Sequence, residues 1–247
     1  MRLNDAASVM MDARLEPLLS IIVPVYNERT TIRSVLDRLL SIELPLAREI
    51  IAVNDGSRDG TASELDAAAH GNPLITVVHL EQNGGKGVAL RTGLARTRGS
   101  IVAIQDADLE LDPAQLATLV GPVLRGEADA VYGSRFTRSS AHVPLMTRFG
   151  NASLTMLTNV LYGSSLTDME TCYKVMRGDL ARSLTLTASR FEIEPEITVS
   201  LLNRGVRIVE LPVTFSPRSR AAGKKIRWRD GLAAVDVLVK HRLGRTQ

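Results

Sequence analysis

The chain has 247 residues, a hydrophobic fraction of 45% and a formal net charge of +3. These values exclude a disordered chain and suit one α/β domain, because single domains run to about 250 residues before they divide. The single cysteine, Cys172, excludes a disulfide framework within one chain and favours a reducing, cytoplasmic compartment.

Residues 1–18 are predicted to form an amino-terminal extension in front of the folded part. Asp5, Asp12 and Glu16 interrupt the apolar region that an export signal needs, so no such signal is visible. The apolar run 19–27 then predicts a strand, and a helix-like apolar periodicity follows it. The residues that carry this periodicity are Ile32, Val35, Leu36, Leu39 and Leu40.

The same unit of a strand followed by a helix recurs along the first half of the chain. Further strands are predicted within 49–57, 74–80 and 100–106, and helices within 60–70, 85–97 and 112–124. The last of these helices has Asp112 as its N-cap and Pro113 at its first helical position. Short strands that alternate with helices predict an α/β fold with a mostly parallel central sheet covered on both faces.

Beyond residue 129 the alternation loosens. Strands are predicted within 129–136 and 206–213, with a helix within 193–205 between them. The charge-free run 149–167 approaches the length of a membrane span, but its many Asn, Ser and Thr residues argue against a span. A helix lying in a membrane interface and an ordinary core helix both stay open for this run.

The basic charge is concentrated at the carboxyl terminus. Residues 216–247 contain nine Lys and Arg against two Asp, a net charge of +7, so the preceding residues carry −4. In this basic amphipathic segment, Trp228, Leu232, Val235 and Val239 share one helical stripe. Such a stripe suits an anionic membrane surface, and docking onto the protein's own core is the alternative. The segment has one aromatic residue and no reader motif, so no nucleic-acid partner is predicted.

Polar residues follow three predicted strands at their carboxyl ends. They are Asn27 with Glu28, the "NDGS" of 54–57, and the "DAD" that starts at Asp106. Because the carboxyl ends of parallel strands meet at one edge of a sheet, these residues are expected to converge on one ligand-binding crevice.

Three carboxylates, Asp106, Asp108 and Glu110, occupy every second position after the fourth strand. Strand side chains alternate faces, so these three are expected to point the same way. Without a cation, their repulsion would raise a pKa, and Mg²⁺ or Mn²⁺ would relieve it with oxygen ligands. Helix capping and loop solvation are the alternative. There is no His or Cys cluster nearby, so zinc is not expected.

Two common nucleotide-binding motifs are absent. The sequence "PVYNERTT" stands after the first strand where a dinucleotide-binding fold has its glycine fingerprint, and "NGGKGVALRTG" lacks the order of a P-loop. The glycines of this second segment would still let backbone amides approach a phosphate, although a tight turn explains them equally well.

In this order and spacing, "SIIVPVYNE", "VNDGSRDGT", "NGGKGVALRTGL" and "DADLE" resemble the GT-A-type family 2 glycosyltransferases. The segments "GSRF" and "YKVMR" extend the resemblance toward the dolichyl- or polyprenyl-phosphate mannose and glucose synthases. The resemblance covers about residues 19–230. It implies a GT-A, Rossmann-like nucleotide-binding fold, a nucleotide-sugar donor, a divalent metal cofactor and inversion at the anomeric carbon.

The resemblance divides the single domain 19–247 into three parts. They are a nucleotide-sugar and metal half (19–113), an acceptor half (114–215) and the basic amphipathic tail (216–247). It places five residues in the donor site, with Asp55 holding the base or ribose. These residues are Pro24, Tyr26, Glu28, Asp55 and Lys86. The family commonly has Asp where this chain has Asn54, so the contact that the family makes through this Asp does not carry over directly.

The resemblance also assigns catalytic residues. Asp106 and Asp108 would reach the metal directly or through water, with Glu110 as a third ligand. Arg135 and Lys174 would pair with phosphate oxygens, although surface ion pairs are the alternative for both. Asp168 and Glu170 lie close to the acceptor region and would orient the acceptor, or serve only as solvated loop residues. Additional cations follow the donor half at Arg148, Arg218, Lys224 and Lys225.

These features lead to one principal hypothesis. The protein transfers a hexose, mannose or glucose, from GDP-mannose or UDP-glucose to a polyprenyl phosphate, while peripherally associated with the inner, cytoplasmic face of the membrane. A phosphate is favoured because it is already anionic at neutral pH, whereas an alcohol needs a general base, which Asp168, Glu194 or Glu196 would supply. The alternatives are transfer to a hydroxyl in polysaccharide or glycolipid synthesis, and a non-catalytic nucleotide-sugar-binding protein.

Overall fold

The computed structural model describes residues 18–137, 143, 145–217 and 228–244. The strands are β1 (Leu18–Val25), β2 (Ala47–Asn54), β3 (Ile75–His79), β4 (Ile101–Ile104), β5 (Ala130–Ser134), β6 (Lys174–Arg177) and β7 (Ile208–Pro212). The helices are α1 (Ile32–Ser41), α2 (Thr61–Ala69), α3 (Lys86–Leu94), α4 (Leu116–Leu124), α5 (Leu145–Tyr162), α6 (Gly178–Ser183), α7 (Ile193–Asn203) and α8 (Trp228–Arg242). A 3₁₀ turn, Pro113–Gln115, precedes α4, and Asp112 caps it by accepting a bond from Ala114 N at 3.1 Å.

The described strands form one seven-stranded sheet with the order β3-β2-β1-β4-β6-β5-β7. Only β6 runs antiparallel to its neighbours, β4 and β5, and the other pairs are parallel. The prediction of a mostly parallel sheet is confirmed. Strand β6 was not predicted, because its four residues place Val175 and Met176 between two basic residues and are too short for a periodic signal.

Helices cover both faces of the sheet. In β1, Leu19, Ile21 and Val23 face the layer that contains α1 and α4, whereas Ile22 faces α3 and α7. This two-sided burial explains why the strands are nearly continuous apolar runs rather than alternating ones. The sheet thereby holds the carboxyl ends of β1, β2 and β4 side by side at one edge.

Helix α5 has apolar side chains on the core and others that are exposed. Asn151, Thr155 and Thr158 are buried, and Leu154, Leu157, Leu161 and Tyr162 pack on a cluster formed by Leu166, Met169, Val199 and Leu238. Five other large apolar side chains of α5 are 68–80% exposed, namely Leu145, Met146, Phe149, Met156 and Val160. One side of α5 is thus part of the core, as in an ordinary core helix, and the exposed apolar residues leave the interface alternative open as well. No helix of the described residues is long and apolar enough to cross a membrane.

Helix α8 packs beside α5 and α7. Its buried residues are Ala234 and Leu238, and Tyr162 Oη donates to the Leu238 carbonyl at 2.7 Å. The helix therefore docks on the protein through this face. Leu232 and Val239, two members of the predicted stripe, point outward with exposures of 61% and 40%.

Part of the predicted organisation lies outside the described residues. This holds for residues 1–17 of the amino-terminal extension and for the side chain of Trp228. It also holds for the predicted cations Arg218, Lys224 and Lys225.

Candidate active site

The loops after β1, β2 and β4 are joined by hydrogen bonds. Thr31 Oγ1 lies 2.8 Å from both Glu28 Oε2 and the Ala107 carbonyl, which ties the first loop to the "DAD" turn. Asn27 N donates to Ser57 Oγ at 2.9 Å, which ties it to the "NDGS" turn. The structure therefore brings the three polar segments into one crevice, as predicted.

Asp55 organises the glycine-rich turn before α3. It is buried, and its carboxylate accepts bonds from Gly84 N at 2.7 Å, Gly85 N at 2.8 Å and Asn83 Nδ2 at 2.9 Å. Burial raises the pKa of Asp55, and the amide donors oppose that shift. The Gly84 and Gly85 amides thus bind a carboxylate of the protein, which supports the tight-turn interpretation. Gly85 adopts a φ of +94°, a value that side chains disfavour.

Lys86, the first residue of α3, joins two carboxylates. Its Nζ lies 2.7 Å from Asp106 Oδ1 and 2.9 Å from Glu194 Oε1. Burial alone would lower the pKa of Lys86, but the two carboxylates raise it well above its usual value. Burial would likewise raise the pKa of Asp106, and Lys86 holds it below its usual range. Lys86 and Asp106 are therefore both charged near neutral pH.

The three alternating carboxylates do not extend from a strand. β4 ends at Ile104, and Leu109 adopts a left-handed φ of +62°, so the chain turns between Asp108 and Glu110. Asp108 Oδ1 accepts a bond from Glu110 N at 3.1 Å. The expected strand-like alignment of these side chains is wrong, and the reason is that the strand ends before the first carboxylate.

The described residues contain no group of three or more His, Cys, Asp and Glu side chains arranged to hold a metal ion. Lys86 neutralises Asp106, so the repulsion that was expected to require a cation is already relieved there. Asp108 and Glu110 have carboxylate oxygens, the type of ligand that Mg²⁺ and Mn²⁺ accept. A pair of carboxylates fits such an ion when substrate phosphate oxygens supply the other ligands.

Arg135 and Asp168 form a two-point ion pair on the other side of the crevice. Arg135 Nε and Nη2 each lie 2.7 Å from a different Asp168 oxygen, and the Arg135 backbone N donates to the same carboxylate. Although burial would lower it, the pKa of Arg135 is raised by Asp168. Glu210 holds the Asp168 loop by accepting from Thr167 N and Asp168 N at 2.7 and 2.9 Å. Asp168 therefore has a fixed orientation.

Lys174 begins β6 and is completely buried. Its Nζ ion-pairs with Glu194, donates to the Thr171 carbonyl and lies 4.8 Å from the centre of the Tyr132 ring. The result is an ion-pair chain that runs Asp106–Lys86–Glu194–Lys174. The structure thus places Lys174 behind the crevice, joined to the donor side through Glu194.

The remaining predicted residues lie at or near the end of β1 and in the loop before β6. Pro24 and Tyr26 are half-buried at the end of β1, and Glu28 is buried. Cys172 is buried, as predicted, and burial raises the pKa of its thiol well above the usual value.

Glu194 and Glu210 are site residues whose contacts sequence reasoning did not predict. Glu194 was considered only as a base for an alcohol acceptor, and Glu210 was not considered. Glu194 lies in the first turn of α7, where the helix dipole favours a carboxylate. That position in the helix could have marked Glu194 from the sequence. The contacts of Glu210 depend on the pairing of β7 with β5, which the sequence does not reveal.

Comparisons with known proteins show the family of this chain. Residues 20–184 match the family model described as glycosyl transferase family 2, so the chain belongs to this family. The undecaprenyl-phosphate mannosyltransferase of Micrococcus luteus is 31% identical over 225 residues, which cover 87% of this chain and 90% of that protein.

Two further relatives extend the comparison. The low-salt glycan biosynthesis hexosyltransferase of Haloferax volcanii is 27% identical over 89% of this chain, which spans 52% of that relative's length. Glucosyl-3-phosphoglycerate synthase from Mycobacterium tuberculosis, crystallised with Mg²⁺ and UDP, has a TM-score of 0.68 at 25% identity. That match covers 94% of this chain and 81% of the other. The GT-A fold is therefore shared with a solved glycosyltransferase.

Proposed function

We propose that this protein transfers a hexose from a nucleotide sugar to a polyprenyl phosphate, with inversion at the anomeric carbon. The likeness to the Micrococcus luteus enzyme over nearly the full length of both chains supports this substrate class. One structural observation carries the choice of a phosphate acceptor. The three carboxylates considered as bases for an alcohol acceptor are all engaged with other groups.

Each of these carboxylates is engaged by partners within the protein. Asp168 is held by Arg135, and Glu194 pairs with both Lys86 and Lys174. Glu196 accepts bonds from the backbone amides of Thr187 and Ala188. A general base needs an available lone pair. The engagement of these three carboxylates supports an acceptor that is already anionic.

In this proposal the acceptor phosphate oxygen attacks the anomeric carbon from the face opposite the donor diphosphate. The new carbon–oxygen bond forms as the bond to the diphosphate breaks, and the nucleoside diphosphate leaves with the bonding electrons. Asp108 and Glu110 would hold Mg²⁺ or Mn²⁺, which when bound neutralises charge on the diphosphate. Lys86 orients Asp106, and Arg135, whose charge Asp168 balances, would donate its remaining N–H groups to the acceptor phosphate.

The exposed apolar side chains of α5 and α8 support a peripheral membrane position. The α5–α8 apolar surface consists of Leu145, Met146, Phe149, Met156 and Val160 together with Leu232, Val239 and Leu243. Scattered exposed apolar residues are ordinary, but a set on two neighbouring helices indicates an interaction site. An anionic membrane is the proposed partner, because the acceptor is a lipid and the carboxyl-terminal segment is basic.

The experiment that tests the proposal compares two acceptors of equal chain length. Radiolabelled GDP-mannose and UDP-glucose are each incubated with the protein, Mg²⁺ or Mn²⁺, and either farnesyl phosphate or farnesol. We expect label in farnesyl phosphate and loss of transfer on chelation of the metal. Faster labelling of farnesol would contradict the phosphate acceptor, and the absence of transfer from either donor to any acceptor in a membrane extract would contradict catalysis.

A further inference from the structure

A chain of hydrogen bonds joins the end of β3 to the "NDGS" turn. His79, the last residue of β3, is paired with Asn54, the last residue of β2, and His79 Nδ1 lies 2.9 Å from Asn54 Nδ2. The other ring nitrogen, Nε2, lies 3.0 Å from Asp66 Oδ1 of α2. Asn54 Oδ1 accepts a bond from Ser57 N at 3.1 Å. Because Asn54 is only 3% exposed, its amide depends on these protein partners for its hydrogen bonds.

The two ends of this chain fix which ring nitrogen of His79 carries the hydrogen. Asp66 Oδ1 is an acceptor, so Nε2 must donate to it. Ser57 N is a hydrogen-bond donor, so Asn54 must turn its oxygen to Ser57 and its NH₂ group to the ring. His79 Nδ1 is therefore the acceptor from Asn54 and carries no hydrogen. This is the neutral form of the ring.

Protonation of His79 is incompatible with this arrangement. An imidazolium carries a hydrogen on both nitrogens, so Nδ1 would face the Asn54 NH₂ group as a second hydrogen-bond donor. Turning the Asn54 amide over would instead place its NH₂ group against Ser57 N, which is also a donor. One hydrogen bond of a buried amide is therefore lost in either orientation.

The acidic groups near the ring do not remove this conflict. Strand β3 packs on β2 and α2, and Asp66 is the acid of α2 that contacts the ring. Asp66 accepts from Nε2 in both charge states of the ring. On β2, Asp55 follows Asn54, but its carboxylate accepts from two backbone amides of the glycine-rich turn. The difference between the two charge states therefore falls on the bond between the ring and Asn54.

The "NDGS" turn is coupled to the other loops of the crevice. Ser57 Oγ accepts from Asn27 N at 2.9 Å, and Asn27 Oδ1 accepts from Arg58 N at 2.8 Å, so the turn and the loop after β1 hold each other. Gly56, at a φ of +64°, lies so close to residues 82–83 that a Cβ on it would be 2.7 Å from their backbone. A displacement of the turn therefore reaches two further loops of the crevice.

We propose that His79 is a positioning residue for the nucleotide sugar. In its neutral form it holds Asn54 and, through Asn54, the "NDGS" turn, so binding of the nucleotide sugar weakens when His79 is protonated. The inference rests on the proposed function, which has a nucleotide sugar bound in the crevice that this turn borders. Asn54 is the residue that makes the ring's charge matter, because its amide has one acceptor and one donor group, and Ser57 takes the acceptor.

The test measures binding of the nucleotide sugar without any acceptor substrate. UDP-glucose and GDP-mannose are each titrated calorimetrically, with Mg²⁺, into the protein at pH 5.5 and at pH 8. Histidine side chains ordinarily change charge between these values. The diphosphate of a nucleotide sugar is esterified at both ends and keeps its charge over the same range, so the ligand itself does not titrate.

Three variants change the two partners separately. His79→Asn places an amide oxygen near the position of Nδ1 and does not titrate, whereas His79→Leu offers Asn54 no acceptor. Asn54→Asp has two acceptor oxygens, which suit both Ser57 N and a protonated ring. His70→Asn is the matched control, because His70 is an exposed histidine at the end of α2. Thermal unfolding verifies that each variant is folded, and the 39% exposure of the His79 side chain favours tolerance of its substitutions.

We expect the wild-type Kd for the nucleotide sugar to rise about fivefold from pH 8 to pH 5.5, the effect of one hydrogen bond. His79→Asn should bind like the wild type at pH 8 and retain that affinity at pH 5.5. His79→Leu should bind about fivefold more weakly than the wild type at pH 8, with no further loss at pH 5.5. Asn54→Asp should bind at pH 5.5 at least as tightly as at pH 8, and His70→Asn should follow the wild type.

Nitrogen NMR gives a readout that a purely structural role would not change. In the wild type at pH 8, His79 should carry its hydrogen on Nε2. The chain has four histidines, and the His79 signals are those that His79→Asn removes. A hydrogen on Nδ1 at pH 8 would overturn the inference, because Nδ1 could then not accept from Asn54.

The same pH dependence in the wild type and in His79→Asn would also overturn the inference, as would a wild-type Kd in His79→Leu at pH 8. If the nucleotide sugar binds with the expected pH dependence but no sugar passes to farnesyl phosphate, the proposed function fails and the inference stands. If sugar is transferred and the His79 variants bind like the wild type at both pH values, only the inference fails. No binding of either nucleotide sugar would contradict both.

Discussion

Lys86 Nζ lies within 2.9 Å of carboxylates from two distant parts of the chain, Asp106 and Glu194. Through Glu194 the contact continues to Lys174, so one ammonium group joins the donor side of the crevice to the start of β6. The same contact neutralises Asp106, one of the carboxylates that follow β4.

Replacing Lys86 by Met should destabilise the protein by about 3–5 kcal/mol, because it leaves two buried carboxylates without their cation. The Lys86→Met variant should also lose transfer activity. Urea unfolding measures the change in free energy. The matched control is Lys240→Met, since Lys240 also pairs with a carboxylate, Asp236, at 2.7 Å but is 57% exposed. That exposed pair should contribute less than about 0.5 kcal/mol, and equal losses in the two variants would contradict the structural role of Lys86.

Asp108→Asn should reduce transfer by about a hundredfold or more while leaving the Tm unchanged, because the metal stabilises the departing diphosphate by several kcal/mol. Asp106→Asn should also abolish transfer but should lower the Tm, since it removes the partner of Lys86. Rates measured across a Mn²⁺ titration, together with thermal unfolding, separate the two effects. Full activity of both variants without added metal would rule out the metal site.

Arg135→Lys should destabilise the protein by about 2 kcal/mol and slow transfer, because an ammonium cannot make the two parallel bonds to Asp168. Arg177→Lys is a suitable control, because the Arg177 guanidinium also makes several carboxylate contacts, to Asp129 and Asp179, but is 52% exposed. The comparison uses urea unfolding and the initial rate at saturating donor. Wild-type behaviour of Arg135→Lys would show that the two-point geometry is unimportant.

Glu170 should make stability depend on pH. Its pKa is raised to about 7 in the folded protein and is about 4.3 when unfolded, so the folded state retains the proton longer. Burial of the ionised Glu170 carboxylate lowers the free energy of unfolding. This loss is absent below about pH 4, grows as the pH rises and reaches roughly 3 kcal/mol above about pH 7. Relative to the wild type, Glu170→Gln should therefore gain stability between pH 5 and pH 8. The exposed Glu43→Gln serves as control, and a pH-independent difference for Glu170→Gln would contradict the burial of its charge.

Phe149→Glu and Val160→Glu should each weaken sedimentation with vesicles that contain anionic lipid, because they place a charge in the α5–α8 apolar surface. Leu74→Glu is the control, since Leu74 is a 41% exposed apolar residue beside β3, outside that surface. Both α5 variants should remain folded in water, as their side chains are 72% and 74% exposed. Binding that is independent of anionic lipid, of salt and of these substitutions would count against membrane docking.

The sequence was sufficient to predict those features of the fold that depend on local patterns. The apolar runs of β1 to β4 and the Asp112–Pro113 start of the next helix follow from periodicity and capping preferences, which act over a few residues. The convergence of the strand ends also followed, since it is a general property of parallel sheets.

Features that depend on distant partners were not predictable. The pairing of Lys86 with Glu194 requires the position of α7, and the burial of polar residues in α5 depends on the elements that pack against that helix. The end of β4 at Ile104 changed the geometry of the three carboxylates, because a strand boundary is set by the neighbouring strands as well as by its own residues. The roles of the site residues themselves stay predictions that the variants above will decide.

The exposed apolar residues of α5 have a thermodynamic consequence under the proposed membrane docking. If they bind lipid in the folded state and are dispersed when the chain unfolds, the membrane is a stabilising ligand by mass action. The Tm of the protein should therefore rise with the concentration of vesicles, and its stability in plain buffer should be the lower limit of its stability at the bilayer. Enzyme molecules that leave the membrane would then be the first to unfold, which would couple the lifetime of this protein to its location.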